Sequence, residues 1–397
     1  MRTTVYPREA NRSAVLAQLL SGKEFERQNL VGETGLSRAT VFRVIDEIMS
    51  ANLAREGEIV VRTGPGRHAT TVRFNAEAAL VCGVDLGGTN CRIVVADAMG
   101  NSLIRGRFAT PRDSSAAELG SWIARHVHSL VAKTASGSEL GAVAIGVPGA
   151  VSGDRRRVVG SHNLGQILGE DFIREVTAAL GVPTRIENDS NLALLGELRY
   201  GELAEDQTTV LFALGTGLGS AVSLDGGILA GETGLLGEFG RLPVPGSSLR
   251  LRDLLSGAGL LATARARGYV LDSAREIFDH PENFGDLESE IHAGLRHLVS
   301  IIALAYEPRT VLFTGGFSES LAREVFSATA AAVEEAVGVR ATLRHADLED
   351  SAGLLGALAA SLEVLYGSLG VTVEHLPLIH IDQTRVVESL HACPLGA

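Results

Sequence analysis

The residues of this chain best suited to chemistry are three glycine-rich turns and one carboxylate. Residues 79–101, ALVCGVDLGGTNCRIVVADAMGN, read as an apolar strand, a glycine turn, a second strand from Cys91 to Ala96 and a further turn at Met99 to Asn101. Asp85 ends the first strand and Gly87, Gly88 and Thr89 follow, so that backbone N–H groups can approach a phosphate with no side chain in the way. Asp85 could then hold a magnesium ion through water. A plain β-hairpin explains DLGGT nearly as well, and the motif is neither a Walker A loop nor a strand-to-helix GxGxxG. The plan recurs in residues 209–224, TVLFALGTGLGSAVSL, with Gly215, Thr216, Gly217 and Gly219, and the pair predicts a duplicated phosphate clamp. A third turn, Gly315 and Gly316, ends the strand TVLFTGG. In TRIENDSNLALLGE, residues 184–197, a strand ends in Glu187, Asn188 and Asp189 before an amphipathic helix. The sequence leaves two readings of Asp189 even: a helix N-cap, or a general base taking a proton from a substrate hydroxyl.

Different chemistry precedes these turns. Residues 11–22, NRSAVLAQLLSG, put Val15, Leu16, Leu19 and Leu20 on one helical face and stop at Gly22. Leu30 and Val31 belong to a second helical stretch ending at Gly35, and Ser37 is placed to cap a third, RATVFRVIDEIMSANL. In that helix Val41, Val44, Ile45 and Ile48 face a core while Arg38, Thr40 and Arg43 face outward. Two helices around a tight Gly turn, the second opening with Ser, Arg and Thr, form a helix-turn-helix pattern whose exposed start can enter a DNA major groove. Two β-rich runs around Gly64, Pro65 and Gly66 then predict a wing tipped by Arg62, Arg67 and Arg73, cations suited to backbone phosphate. A protein-interaction module of the same shape is the bland alternative. The residues expected to read DNA are Ser37, Arg38, Thr40 and Arg43, with Arg67 on the wing; a dimer is expected because one short recognition helix reads only a few base pairs.

Composition bounds the partners. The 397 residues are 45% hydrophobic and 21% charged, which excludes a disordered or collagen-like chain and suggests two or three domains. The net charge of −12 makes the whole chain a poor binder of nucleic acid or anionic membrane by charge alone. Residues 1–75, however, carry eleven Lys and Arg against eight Asp and Glu, so a small basic module precedes a large acidic one. Cys82, Cys91 and Cys393 form no CxxC pair, which fits free thiols in a reducing compartment. With no apolar leader and no run of about 18 apolar residues, neither export nor membrane spanning is indicated, and a cytoplasmic location is expected.

Taken together, DLGGT, the IGVPG turn, SHNL at residues 161–164, IENDSN, LGTGLGS, GETGLLGEFG at 231–240, VLFTGG and AGLLGA resemble, in order and spacing, the ROK family of repressors, open reading frames and sugar kinases. The resemblance runs from about Ala79 to Leu365, and NRSAVL, GLSRATVFRVIDEI and GPGR resemble the winged helix of its regulator branch. It implies an α/β fold: an N-terminal winged helix-turn-helix over 1–75, then a duplicated actin/hexokinase-like (ribonuclease H-like) domain. That domain would have a first lobe at 79–190 completed by a helix at about 352–366, a second lobe at 191–351, and a tail at 367–397 without an assigned role. It further implies that Asp85, Gly87, Gly88, Thr89, Gly215, Thr216, Gly217, Gly315 and Gly316 hold nucleotide phosphates, with ATP and Mg2+ as the cofactors of any kinase activity. Asn163, Asn188, Asp189 and Glu238 would bind sugar hydroxyls, and Asp189 would also be the catalytic base. Carboxylates and amides are the groups that a polyhydroxylated ligand needs for directional hydrogen bonds.

Two departures alter that inheritance. Arg241 stands where the family has a His serving both sugar and zinc, and residues 242–255, LPVPGSSLRLRDLL, contain no Cys, so a site of three Cys and one His cannot form there. Zinc is therefore expected to be absent, and sugar selectivity altered at Arg241. Three functions follow: a sugar-responsive regulator, expected to be a repressor, that binds operator DNA and a sugar or sugar phosphate; a glucokinase-like sugar kinase carrying a DNA-binding domain; or a regulator whose kinase-like fold binds protein. The winged helix and the lost His favour the first, with no cofactor needed for DNA binding. Metal analysis of the purified protein is expected to find no stoichiometric zinc, and a chelator to leave the melting temperature unchanged; one tightly held zinc per chain would overturn this reading of residues 241–256.

Overall fold

The computed structural model describes residues 7–60, 69–161, 163–204, 207–376, 379 and 381–396. The chain divides into two compact units, one formed by Met1–Ile145, Phe172–Ile186 and Ala357–Ala397, the other by Gly146–Asp171 and Glu187–Gly356. Residues 146–171, expected within a first lobe of 79–190, thus belong to the second unit by compactness, and the N-terminal helices share a unit with the first sheet.

The first unit begins with α1 (Pro7–Leu19), β1 (Phe25–Glu26), α2 (Arg27–Thr34), α3 (Arg38–Ser50), β2 (Ala54–Val60) and β3 (Ala69–Phe74). The apolar face read from the sequence is the buried one: Val15, Leu16, Leu19, Leu30, Val41, Val44, Ile45 and Ile48 are all inaccessible to solvent. Gly35 ends α2 in the left-handed conformation (φ 68°), and Ser37 caps α3 by accepting from the Thr40 N–H at 3.2 Å. The three strands pair in the order β1-β3-β2; the two-residue β1 was not foreseen because it is too short to show alternation.

Then come β4 (Leu80–Leu86), β5 (Asn90–Asp97), β6 (Ser102–Ala109), α4 (Ala116–Lys133), β7 (Leu140–Val147), β8 (Ala150–Val151), β9 (Val158–Gly160), α5 (Asp171–Leu180) and β10 (Thr184–Asn188). The second unit continues with α6 (Asp189–Tyr200), β11 (Thr209–Leu214), β12 (Leu218–Leu224), β13 (Gly227–Ile228), α7 (Leu251–Leu254), α8 (Gly257–Ala266), α9 (Arg275–Asp279), α10 (Leu287–Tyr306), β14 (Thr310–Thr314), α11 (Arg323–Val337) and β15 (Thr342–His345). The two five-stranded sheets have orders β10-β7-β4-β5-β6 and β15-β14-β11-β12-β13, the same plan used twice. In each, the glycine-rich turn joins the central strand to its antiparallel neighbour. Phe212, Phe313 and Phe326 lie inside the second unit's core, the last two stacked at 4.6 Å between centroids, an arrangement that adds about 1 kcal/mol to the burial itself.

The chain closes with α12 (Ala352–Ser368) and α13 (Gln383–Ala392). Residues Glu349–Ser368 are long and apolar enough to cross a membrane by composition, but 67% of that stretch is buried inside the protein, as in a core helix. Glycines let α12 approach its neighbours at backbone distance: a Cβ on Gly83 of β4 would lie 2.7 Å from the Leu358 nitrogen, and one on Gly356 would overlap the Leu192 carbonyl of α6. Cys82 and Cys91 are buried in the first sheet and Cys393 beside it, and burial pushes all three thiols up, away from reactivity. Gly356→Ala is expected to cost about 3 kcal/mol, since the obstacle is backbone and cannot rotate away. Gly367→Ala in the same helix, with nothing within 4 Å of its Cβ, is expected to gain up to about 1 kcal/mol. Denaturant unfolding distinguishes them; equal effects would mean that α12 is not packed at backbone distance.

Candidate functional site

The second unit gathers its polar loops around the start of α6. Asn188, not Asp189, is the N-cap: its side-chain oxygen accepts from Ser190 N at 3.0 Å and Asn191 N at 3.1 Å, while its amide donates to the Gly149 carbonyl at 2.9 Å. That removes one of the two readings of Asp189. Asp189 is the first residue of α6, half-buried, with Oδ1 accepting from Ser190 N at 2.7 Å, and the helix dipole favours its negative charge.

Glu187, to which the sequence reading gave no role, organises these loops. It is only 5% exposed. One carboxylate oxygen accepts from Asn188 N (3.2 Å) and from the Asn191 side chain (3.0 Å); the other accepts both Nε and Nη2 of Arg155, at 3.1 and 3.0 Å. Arg155 sits in the β8–β9 turn with φ 56°, a left-handed conformation uncommon for a residue with a side chain. The available signal was an acid directly before the cap of a helix, together with the charged run DRRR at 154–157.

Two further loops join the cluster. Gly153 N donates to the Glu232 carbonyl at 3.1 Å, and Gly234, at φ 80°, lies so close to Val151 that a Cβ would overlap its carbonyl. Arg241 reaches back to Glu238 (Nε to Oε2, 3.4 Å), and its Nη2 lies 3.4 Å from where a Cβ on Gly160 would be. The residue expected to replace the family's His is thus paired with the expected sugar-binding Glu. Asn163 is exposed in the turn that follows, which Ser161 braces by donating to the Pro148 carbonyl at 2.7 Å. Where a zinc loop would stand, Val244 N donates to Leu249 O at 2.8 Å and closes a short turn. Among the described residues no group of three or more His, Cys, Asp or Glu is placed to hold a metal.

The glycine turns divide on a physical test. Gly215, Gly217 and Gly316 have ordinary backbone angles, and a Cβ on any of them would meet nothing within 4 Å, so the fold itself does not require glycine there. Space left over a backbone turn fits a close-approaching phosphate. Gly315 is different: it has φ 92°, and a Cβ would crowd the Leu214 carbonyl at 2.7 Å. In the first unit Asp85 is held by Arg92, directly opposite in the β4–β5 register, with Nε at 2.9 Å and a second donor on the same oxygen. Arg112 donates to the Gly88 carbonyl at 2.9 Å and to the Thr89 hydroxyl at 3.1 Å, and Thr110 donates to the Gly87 carbonyl at 2.8 Å. Gly215, Gly217 and Gly316 therefore leave room for a nucleotide's phosphates, whereas a Cβ on Gly87 would meet the Asn90 carbonyl at 2.9 Å; Arg92 engages one oxygen of Asp85.

On α3, Arg38 is exposed and lies over the Phe42 ring at 5.1 Å, with Arg27 over the same ring at 5.7 Å. Ser37 and Thr40 hold each other, hydroxyl to hydroxyl at 2.9 Å. Arg43 is exposed but paired with Glu47 at 2.8 Å. Arg62 and Arg67 lie outside the described residues. Arg73 is not at a hairpin tip: it lies within β3 opposite Arg55, 3.6 Å from Glu24.

Fold and sequence place the chain among the actin-like sugar kinases and their regulators. The ROK family matches residues 81–363, and the chain belongs to it. It is 31% identical over 206 residues to a glucokinase of Streptomyces coelicolor, covering 50% of this chain and 63% of that one. It is 24% identical over 247 residues to a xylose repressor of Caldicellulosiruptor bescii, covering 60% and 59%. The chain thus spans less than two thirds of the length of these curated relatives. Among solved structures, a ROK hexokinase from Thermus thermophilus is similar with a TM-score of 0.60 at 26% identity, over 73% of this chain and 99% of that one. A ROK transcriptional regulator, homologue of the E. coli MLC protein, is similar in fold with a TM-score of 0.71 at 19% identity, over 96% and 99%.

Arg155→Ala leaves Glu187 a buried carboxylate without its cation, and is expected to cost about 2 kcal/mol, less than a fully buried pair because the Arg155 side chain is 42% exposed. Combining it with Glu187→Gln is expected to recover part of the loss. A double-mutant cycle coupling below about 0.5 kcal/mol would remove Glu187 as the organising charge.

Proposed function

We propose that the protein is a sugar-responsive transcriptional regulator, with residues 1–75 acting as a winged helix-turn-helix on operator DNA. The order α1-β1-α2-α3-β2-β3, with the Ser37-capped start of α3 exposed, carries the proposal. This module is of no use to catalysis, whereas Arg38 at an exposed helix start suits guanine edges and Ser37 and Thr40 suit phosphate. The fold likeness to the solved ROK regulator supports the same reading, because it extends over 96% of the chain, against 73% for the hexokinase. Two-fold pairing of the protein on DNA would double the site read.

The loop cluster of the second unit is the proposed effector site. Asn163, Asn188, Asp189 and Glu238 offer hydroxyl-binding groups, and Arg241 adds a cation suited to a sugar or a sugar phosphate. The second reading, an ATP-dependent sugar kinase with a DNA-binding domain, is favoured by the open glycine turns at Gly215, Gly217 and Gly316 and by Asp189 as a base near the hydroxyls. The cytoplasm is the proposed location.

One set of assays separates the readings. Selection of binding sites from random duplexes, with and without aldohexoses, pentoses and N-acetyl amino sugars, is expected to yield one operator whose affinity changes with one sugar. Arg38→Ala is expected to weaken that operator by about 1–3 kcal/mol, and Arg43→Ala by less, because Glu47 already engages it. Sugar-dependent ADP release is expected far below about 10 per second. Brisk phosphorylation abolished by Asp189→Asn, which keeps a hydrogen-bonding side chain but cannot take a proton, would make the kinase reading correct.

A further inference from the structure

The tail beyond α12 has no part in the readings above, yet it is attached to the DNA-binding helices at several points within the first unit. Ser13 lies on α1 among Val15, Leu16, Ala17 and Leu19 and is fully buried, an unusual place for a hydroxyl unless it is bonded. Its partners are all in the tail. Thr372 N donates to Ser13 Oγ at 2.8 Å, Ser13 Oγ lies 2.8 Å from His375 Nδ1, and the Thr372 hydroxyl lies 3.0 Å from the same nitrogen. The preceding residue on the same helix, Arg12, donates to the Leu369 carbonyl. Gly370, at φ 94°, can be only glycine without strain, and a Cβ there would press on the Arg12 guanidinium.

The other end of the tail is fastened to the sheet. Val386 and Leu390 of α13 are buried, Ser102 N donates to Ser389 Oγ at 3.0 Å, and residues 394–396 run beside the β6 edge, where Arg105 N donates to Pro394 O (3.0 Å) and Gly396 N to Arg105 O (2.7 Å). One turn before Arg12 and on the same face of α1, Arg8 reaches Glu47 of α3 at 3.1 Å, the same carboxylate that holds Arg43. α1 therefore contacts both the tail and the helix expected to enter DNA.

The geometry points to residues 369–375 as a strap that sets α1, and through it α3, in the position for binding DNA, with Ser13, Gly370, Thr372 and His375 as positioning residues. The inference rests on the DNA-binding reading. It makes the tail part of the DNA-binding apparatus, although the tail lies about 300 residues away in sequence, and it explains a buried Ser whose hydroxyl must be matched.

The test uses the full chain and the operator selected on the wild type. Ser13→Ala and His375→Leu are expected to lower operator affinity about tenfold and to speed amide exchange in α1 and α3, leaving exchange in residues 187–356 unchanged. His375→Asn, which keeps an acceptor near Nδ1, is expected to restore most of the affinity, a rescue that general loss of stability would not give. Wild-type affinity and exchange in both Ser13→Ala and His375→Leu, or no rescue by His375→Asn, would overturn the strap. If the wild type selects no DNA, the DNA-binding reading fails, while the exchange arm still decides whether residues 369–375 hold α1: faster exchange in the variants keeps the strap and unchanged exchange removes it.

Discussion

A carboxylate taken almost wholly out of water must find cations and donors, and Glu187 imposes that requirement on the loops around it. Its two oxygens are filled by Arg155 from one loop and by the backbone and side chain of the next helix. The need to compensate this charge draws the β8–β9 turn against the start of α6 and holds Arg155 in a backbone region that residues with side chains seldom occupy. Asn188 adds the link to Gly149, and Gly153 and Gly234 bring the 231–241 loop within backbone distance. Hydrogen-bonding groups suited to a sugar are thereby presented from several segments on one scaffold.

The same rule of pairing acts differently in the first unit. Asp85 and Arg92 face each other because a two-residue loop, Gly88 and Thr89, closes the hairpin between Gly87 and Asn90, and the result is a glycine turn with one Asp85 oxygen held by the guanidinium. The second unit's equivalent turn keeps its glycines open. The glucokinase and the xylose repressor that this chain resembles show that the family carries both roles.

The N-terminal helices are not a freely tethered head. Asn75 donates to the Asn52 carbonyl at 2.9 Å, Ala98 N to Ala76 O at 2.9 Å, and Ser138 to Glu77 O at 2.7 Å, so the helices are bonded into the unit that carries the first sheet. The tail adds the Ser13 and Arg12 contacts from the other end of the chain. Each bond is modest by itself, about 1 kcal/mol net, but several acting on one short helix define its position.

Much of this was legible from the residues alone. Hydrophobic periodicity and the Gly35 and Ser37 signals placed α1, α2 and α3 to within a few residues, and strand–glycine–strand repetition revealed the duplicated plan, because these depend on local geometry and pattern. Only the tertiary structure decided that Asn188 rather than Asp189 caps α6, that Arg73 pairs with Glu24 instead of tipping a wing, that Arg241 turns to Glu238, and that Glu187 joins the β8–β9 turn to the start of α6. It also decided what the tail touches, since the stretch after α12 carries no motif of its own and meets Ser13 and Arg105, hundreds of positions away. Sequence determines what short stretches prefer; which charges and donors meet is settled by how distant stretches are brought together, and no local pattern encodes it.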